Sequence, residues 1–250
     1  MTAPGPNDIV KILSILGEYP DAERELREKI IREAAPPGSE VVFKHYRESV
    51  FRAQMNDYHR STIAPMYVEK ALEGEREGVH AVVGFGTLDL GIEEMRHRLS
   101  IPAIGTGRAG IQTARILARR FAIICYDYPH VIMYRKLLRE WDGADADITS
   151  IRAIDVPLTQ QLASREEMRA KFIQLARRAI DEEGAQLILP LGTMIVPGAF
   201  SAEELADEIG TTVLDVMAIG MSLGAMLARK GFRPSREAYP SDDEPGRFRQ

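Results

Sequence analysis

The sequence has 250 residues, of which 45% are hydrophobic and 28% are charged, and its formal net charge is −5. This composition is ordinary for a globular protein, and the length allows one large domain or two small ones. An acidic balance with scattered basic residues argues against nucleic acid as the main partner. Every apolar run is shorter than the roughly 18 residues that span a bilayer, so we expect no membrane partner. The single cysteine, Cys125, excludes an internal disulfide and favours a cytoplasmic location.

Strand and helix patterns alternate along the first half of the chain. Short apolar runs bounded by Gly or Pro predict strands, and apolar residues at a period near 3.6 predict helices. The predicted elements are a strand at 8–16, a helix at 21–33, a strand at 40–45, a helix at 62–77, a strand beginning at 81, a helix ending near 97, a strand at 101–105 and a helix at 110–120. The polar segment 46–60 fits either a loop over a site or an exposed helix. Residues 1–7 lack periodicity, and we expect them to be flexible.

The same alternation continues in the second half. The predicted elements are a strand at 121–125, a helix at 131–141, a strand at 148–154, a helix at 165–183, a strand beginning at 187, a helix ending near 209, a strand at 211–216 and a helix at 219–230. The charged end of the chain, 234–250, is rich in Pro and Ser, which predicts disorder. These patterns divide the chain into a first half at 8–120, a second half at 121–215 and a C-terminal helix within 216–233.

Two stretches of similar design indicate that the halves are a repeat. Residues 81–87 have the sequence AVVGFGT and residues 187–193 have the sequence LILPLGT, at a spacing of roughly 106 residues. Continuous apolar runs of this kind are typical of strands buried on both faces of a parallel sheet. We therefore predict an α/β protein of two similar doubly wound halves with parallel sheets, and a ligand site between them at the carboxyl ends of the strands. Chance similarity of two segments is the alternative.

The ends of these two strands carry residues suited to an anionic ligand. Gly86 and Gly192 let backbone N–H groups approach a ligand closely, and the adjacent Thr87 and Thr193 add hydroxyls. Thr106, between two glycines after the next strand, offers a third hydroxyl. We interpret these five residues as a substrate-binding cradle. The alternative is that they form tight turns in which Thr caps a helix.

A group of titratable side chains follows the first strand of the second half. Asp127 and His130 can act as general acid or base where burial tunes their pKa, although Asp127 also fits a helix cap. Cys125 and Tyr126 are consecutive strand residues, so we expect them to point to opposite sides and at most one to face a ligand. A lone cysteine at the end of a buried strand most often belongs to the core.

These motifs are similar to those of a known enzyme group. The Gly and Thr pairs at strand ends in two related halves resemble the aspartate/glutamate/hydantoin racemase superfamily, which also contains maleate isomerases and arylmalonate decarboxylase. The stretches that carry the resemblance are 82–91, 101–120, 121–128 and 187–194. The stretch 151–157, IRAIDVP, is also similar to hydantoin racemases.

The resemblance implies cofactor-independent chemistry at a carbon next to a carbonyl. A carbanion or enediolate would be held by backbone N–H groups and hydroxyls, which act strongly in a dry site. The resemblance also implies that Tyr19, at the end of the first strand, lines the pocket. It implies further that Tyr126 donates a hydrogen bond to the substrate oxyanion.

The sequence departs from the family pattern at the residues that move the proton. The resemblance implies one or two cysteines, which would fall at Gly84 or Gly86 in the first half and at Leu191 or Gly192 in the second. Neither glycine nor leucine can move a proton, whereas a two-base racemase needs an acid or base on each face of a planar intermediate. The cradle is kept in this interpretation, and the cysteine pair is lost.

The sequence therefore predicts a racemase-type isomerase that acts on a small carboxylate or cyclic ureide, with no cofactor and no metal site. A lyase or hydrolase that uses one acid or base stays an alternative, as does a non-catalytic metabolite-binding protein. Apolar residues on the last helix permit a homo-oligomer. A replacement base can also come from the segment that holds Lys44, His45, Asp57 and His59. The candidate catalytic residues are Tyr126, Cys125, Asp127 and His130.

Overall fold

The computed structural model describes residues 3–5, 7–46, 56–142, 146–156 and 165–241. In this part of the chain the first half contains β1 (Val10–Leu16), α1 (Asp21–Ala34), β2 (Ser39–His45), α2 (Asp57–Arg76), β3 (Ala81–Val83), α3 (Ile92–Arg98), β4 (Ala103–Ile104) and α4 (Thr106–Leu117). The second half contains β5 (Phe121–Cys125), α5 (Tyr128–Asp142), β6 (Ile148–Ala153), α6 (Arg165–Glu183), β7 (Leu187–Leu191), α7 (Ala202–Ile209), β8 (Thr212–Val213) and α8 (Val216–Arg229).

The strands form two parallel sheets of the same topology. The first sheet has the order β2, β1, β3, β4, and the second has the order β6, β5, β7, β8. Every pair of neighbouring strands is parallel. The predicted α/β class, with two similar halves built on parallel sheets, is therefore confirmed.

The central strands are buried on both faces, which explains their continuous apolar sequences. Every residue of β5 and β7 is buried. Residues of α6 and α7 cover one face of the second sheet, and residues of α4 and α5 cover the other. Within the described residues, no helix combines the length and the apolar character that crossing a bilayer requires. The apolar surface of the helices is used instead to cover the sheets.

The pairing registers place the two Gly-Thr pairs at equivalent ends. Val82 of β3 pairs with the central strand β1, and Ile188 of β7 pairs with the central strand β5. In both cases the partner residue lies at the same distance from the end of its strand. Thr87 and Thr193 follow these positions at the same distance along the chain. The two turns are therefore corresponding parts of the repeat.

Helix α4 begins at Thr106, four residues earlier than its apolar periodicity predicts. The cause is a distant cap: the carboxylate of Asp89 accepts hydrogen bonds from the backbone N–H groups of Gly107 and Arg108, both at 2.8 Å. These N–H groups belong to the first helical turn and have no partner within the helix. The cap therefore draws residues predicted as a loop into the helix.

Helices α8 and α2 also begin earlier than the sequence predicts. Asp215 accepts hydrogen bonds from two backbone N–H groups of the first turn of α8, so that helix begins at Val216 and not at 219. Asn56 caps α2 in the same way, and this helix begins at Asp57. The second part of segment 46–60 is thus a helix, whereas residues 47–55 lie outside the described part.

The last helix of each half packs against the other half. Helix α8 follows the second sheet in the sequence but contacts β1 and β3 of the first sheet, and it lies along α4. Helix α4 contacts β7, with Ile111 and Ala114 in the core of the second sheet. Helices α4 and α8 each contribute side chains to the core of the other half. The boundary between the two halves near residue 120 therefore stays a prediction.

Two glycines let α8 approach the first half closely. A Cβ atom at Gly220 would lie 2.8 Å from Cγ2 of Thr106, and a Cβ atom at Gly224 would lie 2.7 Å from Cγ2 of Val83. Real Cβ atoms do not make contacts this short, so any larger residue would displace α8 from the sheet.

Residues 234–241 pack against α3 in the structure, whereas the disorder expected of residues 234–250 stays a prediction. The side chain of Arg236 donates hydrogen bonds to the carbonyl oxygens of Arg96 and Leu99, at 3.1 and 2.5 Å. The ring of Tyr239 lies 5.4 Å from that of His97. A cation satisfies the last carbonyls of a helix, which the Pro- and Ser-rich composition does not reveal. Parts of three predicted stretches lie outside the described part: residues 1, 2 and 6 of the N-terminal stretch 1–7, residue 157 of the stretch 151–157, and residues 242–250 of the tail.

Replacing Gly220 or Gly224 with alanine is expected to lower the free energy of unfolding by roughly 1–3 kcal/mol, as overpacking of a core does. The clash outweighs the gain in helix propensity, which is about 1 kcal/mol. Urea unfolding measures the change. Ser222→Ala, on the exposed face of the same helix, serves as the control and is expected to change stability by less than about 0.5 kcal/mol. An unchanged or more stable Gly224→Ala protein contradicts the close packing of α8.

Candidate active site

One buried tyrosine joins the two strand-end turns. Tyr134 of α5 is fully buried, and its hydroxyl donates a hydrogen bond to the carbonyl oxygen of Leu191 at 3.2 Å. The same hydroxyl lies 2.6 Å from Oγ1 of Thr87. Because a phenol carries a single proton, Thr87 is the donor in the shorter bond. The turns after β3 and β7 therefore lie side by side, with Tyr134 between them.

The turn after β3 is open at Gly86. Apart from Gly86 itself and its two chain neighbours, no described residue has an atom within 4 Å of the place that a Cβ atom at Gly86 would occupy, and the residue is exposed. Its neighbours Phe85 and Thr87 are buried. A ligand atom can therefore approach the backbone of this turn without meeting a side chain.

The equivalent turn after β7 is filled by a tyrosine. A Cβ atom at Gly192 would lie 2.8 Å from Cζ of Tyr126 and 2.9 Å from Cδ1 of Ile195. The hydroxyl of Tyr126 accepts a hydrogen bond from the backbone N–H of Met194 at 2.9 Å. Its own proton is then available to a further acceptor. Glycine is required at 192 by the packing of this ring, so the two corresponding turns differ in access.

The hydroxyl of Tyr126 is held as a neutral donor. Burial raises the pKa of Tyr126 to about 12, although the Met194 N–H, the positive charge of Arg27 and a hydrogen bond with the side chain of Thr193 each lower it. The phenol therefore keeps its proton at neutral pH. Thr193 is buried, so its hydroxyl lies beside that of Tyr126 in a region with little water.

Asp127 and His130 form a hydrogen-bonded pair beside this ring. His130 Nδ1 lies 2.6 Å from Oδ1 of Asp127, which also accepts the backbone N–H of His130 at 3.0 Å. Burial raises the pKa of Asp127, but the hydrogen bonds from His130 outweigh it and hold this pKa below its ordinary value. The His130 ring lies 5.3 Å from the ring of Tyr126 and 6.2 Å from that of Tyr134. Asp127 thus caps α5 and fixes Nδ1 of His130, which leaves Nε2 for proton exchange.

The first half contributes Tyr19 and a buried arginine. The guanidinium of Arg27 lies 4.1 Å from the ring centroid of Tyr19 and 5.6 Å from that of Phe85. Burial raises the pKa of Tyr19 well above its ordinary value, and the charge of Arg27 lowers it. The same charge acts on Tyr126 of the second half. Tyr19, Arg27 and Tyr126 are therefore electrostatically coupled across the two halves.

The structure places Cys125 in the core, so its position lends no support to the prediction that it is a catalytic residue. The side chain is fully buried and packs with α5, whereas Tyr126 packs on the opposite face of the sheet. Burial, followed by the charges of Asp127 and Asp155, raises the pKa of the Cys125 thiol well above its ordinary value. A thiol in this setting is a poor source of thiolate. The expectation that at most one of the two neighbours faces a ligand agrees with this packing.

The structure places Thr106 at a contact between two helices. It is fully buried as the first residue of α4, and its Cγ2 faces Gly220 of α8. Its Oγ1 has no hydrogen-bond partner among the described residues. The methyl group of Thr106 is therefore used in a contact between helices, whereas the role predicted for its hydroxyl in the cradle stays a prediction.

The alternative source of a base, the segment around β2 and α2, is not supported. Lys44 forms an ion pair at 2.7 Å with Glu77, which directly follows α2, and Nε2 of His45 lies 3.2 Å from a carboxylate oxygen of Glu28 in α1. Asp57 pairs with a lysine of α5 at 2.9 Å, and His59 lies in the first turn of α2. The side chains of Lys44, His45 and Asp57 are thus used in pairing between surface elements, whereas Nδ1 of His59 is buried without a hydrogen-bond partner among the described residues. Among the described residues, no group of three or more His, Cys, Asp or Glu side chains is arranged to hold a metal ion.

A separate cavity of about 310 Å³ lies between α2, α3, α4 and α5, beside Asp89. None of the ten predicted site residues lines it. Each of its four basic side chains lies within 4 Å of a lining carboxylate. We do not assign this cavity to the reaction, because its charges are already paired with one another.

Comparison of the chain with known protein families matches residues 21–224 to the Asp/Glu/Hydantoin racemase family. The chain belongs to this family. A hydantoin racemase of Rhizobium meliloti is 27% identical over a region that covers 70% of this chain and 73% of that protein. The resemblance of the sequence to the aspartate/glutamate/hydantoin racemase superfamily is therefore confirmed.

Solved structures of racemases share the architecture. An allantoin racemase from Klebsiella pneumoniae superposes with a TM-score of 0.78 at 25% identity, covering 91% of both chains. The allantoin racemase of Pseudomonas fluorescens gives a TM-score of 0.80 at 20% identity, covering 96% of this chain and 99% of that one. A variant of arylmalonate decarboxylase gives a TM-score of 0.61 at 16% identity, covering 88% and 92% of the two chains, which shows the common fold.

Two residues of this racemase-family site were not predicted from the sequence. Tyr134 lies on the apolar face of α5, where an aromatic residue is ordinarily read as core. Arg27 and Glu23 are four residues apart on α1, a spacing typical of an exposed ion pair. The signal for Arg27 was its place on the same helical face as Ile30 and Ile31, which are buried with it.

Replacing Tyr134 with phenylalanine is expected to lower the free energy of unfolding by about 1–3 kcal/mol, because the buried hydroxyl of Thr87 and carbonyl of Leu191 lose their partner. Thr87→Val removes the other hydroxyl. The double variant is expected to be destabilised by less than the sum of the two single variants, because both variants remove the same hydrogen bond between Thr87 and Tyr134. Urea unfolding of all four proteins measures this coupling. Strictly additive losses argue that the two turns are not joined through Tyr134.

The Asp89 cap predicts a pH dependence of stability. Burial raises the pKa of Asp89 from 3.8 to about 7, despite the backbone hydrogen bonds from Arg108 and Gly107 that lower it. Between these values the folded protein holds a proton that the unfolded chain releases, so the free energy of unfolding falls as pH rises from about 4 to about 7. Asp89→Asn is expected to remove this part of the slope. Urea unfolding at several pH values tests it, with the exposed Asp21→Asn as control; equal slopes in wild type and Asp89→Asn oppose the assignment.

Proposed function

We propose that this protein is a racemase-type isomerase of cyclic ureides, which removes and returns the proton on the ring carbon next to a carbonyl. A 5-substituted hydantoin is the model substrate. The negative charge that develops on the carbonyl oxygen is held at the two strand-end turns, by the Tyr126 hydroxyl and by backbone N–H groups beside Gly86. The chemistry is cofactor-independent in this proposal.

The choice of a cyclic ureide over a free amino acid rests on the comparisons and on the site. The curated relative is called a hydantoin racemase, and the two allantoin racemases cover more than nine-tenths of this chain. An aspartate racemase homologue from Pyrococcus horikoshii has a lower TM-score, 0.59. A planar ring with carbonyl oxygens also fits the phenol and threonine hydroxyls of the site, because hydroxyl donors bind neutral carbonyl acceptors.

Proton transfer in this proposal uses nitrogen and oxygen, because the only thiol is buried in the core. His130 is the base on the side of the second half: Asp127 fixes the proton on Nδ1, so Nε2 accepts the substrate proton. Tyr126, neutral and anchored by the Met194 N–H, donates to the enolate oxygen. Racemisation needs a proton donor on the opposite face, and Tyr19 of the first half is our candidate for it.

The observation that carries the proposal is the position of the Tyr126 hydroxyl. It bonds to the backbone of one strand-end turn, lies beside the hydroxyl of Thr193, and its ring contacts the Asp127–His130 pair. A donor, a base with its orienting carboxylate and a buried hydroxyl thus meet at the carboxyl ends of β5 and β7. This combination is a standard requirement of enolate chemistry.

A lyase of the decarboxylase type is the second candidate. The open space at Gly86 leaves one face of the site without a side chain of its own, and a decarboxylation needs a proton on only one face of the intermediate. In that case an arylmalonate or a related dicarboxylate would lose CO2, and α-proton exchange of a hydantoin would be slow. Assaying both substrates on the same protein separates the two candidates.

Two further expectations stay proposals. Ile116 and Leu117 of α4 are 82% and 59% exposed, and Met226 of the adjacent α8 is 44% exposed. Exposed apolar side chains on paired helices favour association of the chain into a homo-oligomer. A cytoplasmic location is favoured by the single cysteine of the sequence.

Incorporation of solvent deuterium at C5 of 5-methylhydantoin, followed by NMR for each enantiomer, tests the proposed function. Wild type is expected to exchange the proton and to invert the centre. Tyr126→Phe is expected to lower the exchange rate roughly 100-fold, as loss of one oxyanion donor does. Tyr128→Phe is the matched control, since Tyr128 lies two residues away and is 65% exposed.

The same assay decides the part played by sulfur. Cys125→Ser is expected to retain exchange, because the thiol is in the core. Loss of exchange in a folded Cys125→Ser protein would transfer the role of base to the thiol and contradict our assignment. Tight binding of hydantoins with no exchange in wild type would favour a non-catalytic metabolite-binding protein.

A further inference from the structure

The strongest feature not used by the proposed mechanism is the buried guanidinium of Arg27. The residue is 5% exposed and lies on the face of α1 that also carries Ile30 and Ile31. Its guanidinium stacks on the ring of Tyr19 at 4.1 Å, with Phe85 at 5.6 Å. Phe85 directly precedes the open Gly86, so the guanidinium lies next to the first strand-end turn.

Pairing with an acid does not explain this burial. Arg27 forms an ion pair with Glu23 one turn earlier, and the Glu23 side chain is 37% exposed. Arg32 forms the same type of pair with Glu28 on the same helix at 2.7 Å, while its side chain stays 55% exposed. An i, i+4 pair can therefore form at the surface of α1, and burial of the Arg27 charge adds a desolvation cost that the pair alone does not recover.

The position of the charge relates it to the two phenols of the site. Tyr19 follows β1 in the first half, and Tyr126 directly follows β5 in the second. The charge of Arg27 acts on both hydroxyls and favours release of their protons. A cation near a neutral phenol in a region of low dielectric strengthens the O–H group as a hydrogen-bond donor.

We propose that Arg27 is a positioning residue of the reaction: its buried guanidinium orients Tyr19 by stacking on the ring, and its positive charge strengthens Tyr19 as the proton donor and Tyr126 as the donor to the enolate oxygen. The inference rests on the proposed function and adds a residue to it. Arg27 acts through the phenols and does not itself touch the substrate. Its effect should therefore appear in the chemical step and depend on the presence of Tyr126.

The test measures kcat and KM for deuterium exchange of 5-methylhydantoin in Arg27→Met, Arg27→Gln and Arg27→Lys. Loss of the charge is expected to lower kcat about tenfold with KM changed less than about twofold, a smaller effect than loss of the donor itself. Arg27→Lys is expected to recover most of kcat. Arg32→Met, which removes the surface pair of the same helix, is the matched control and is expected to leave kcat unchanged.

A double-variant cycle with Tyr126→Phe distinguishes positioning from support of the fold. In the Tyr126→Phe background, Arg27→Gln is expected to lower kcat by a smaller factor than in the protein that keeps Tyr126, because one of its two target hydroxyls is gone. An equal loss in both backgrounds, or an unaffected kcat in folded Arg27→Gln, overturns the inference while the proposed function stands. Absence of exchange in wild type overturns both. If Arg27→Met fails to fold, the test can still be made with Arg27→Gln, which keeps a polar side chain.

Discussion

The structure depends on a hydrogen-bonded contact between two glycine-terminated strand ends. The hydroxyl of Tyr134 links Thr87 of the first half to the Leu191 carbonyl of the second, and the Tyr126 hydroxyl is held by the Met194 N–H. Buried phenols need such partners, because an unpaired hydroxyl in the core is costly. Their pairing holds the turns side by side and places Tyr126 next to the Asp127–His130 pair.

The repeated architecture has been given different chemistry in its two halves. Both sheets have the same strand order, and in each sheet one central strand, β3 or β7, is followed by a turn that contains a Gly-Thr pair. At Gly86 the turn is open, whereas at Gly192 the corresponding space holds the ring of Tyr126. In the proposed mechanism, the second half supplies the fixed donor and the base, and the first half supplies the space for a ligand together with Tyr19 and Arg27.

The fold was largely predictable, because the strands of a parallel sheet are continuous apolar runs and the helices between them are amphipathic. The turns that hold Gly86, Thr87, Gly192 and Thr193 could be located for the same reason: they follow those runs directly. The start of α4 at Thr106 could not, because it is set by Asp89, which is distant in sequence. Local periodicity contains no information about such a cap.

The side chains that make the site specific were harder to infer. Tyr134 looks like any core aromatic, since its hydroxyl partners lie 47 and 57 residues away in the chain. Arg27 looks like half of a surface ion pair. Their roles depend on which elements pack together, and that information is tertiary.

A crystal structure with a bound 5-substituted hydantoin tests the central claim most directly. The account predicts the ring between the two turns, a ring carbonyl oxygen within hydrogen-bond distance of the Tyr126 hydroxyl, and C5 within about 4 Å of His130 Nε2. A ligand bound instead in the cavity beside Asp89, or surrounded at the turns only by Gly, Thr and aliphatic groups, would contradict it.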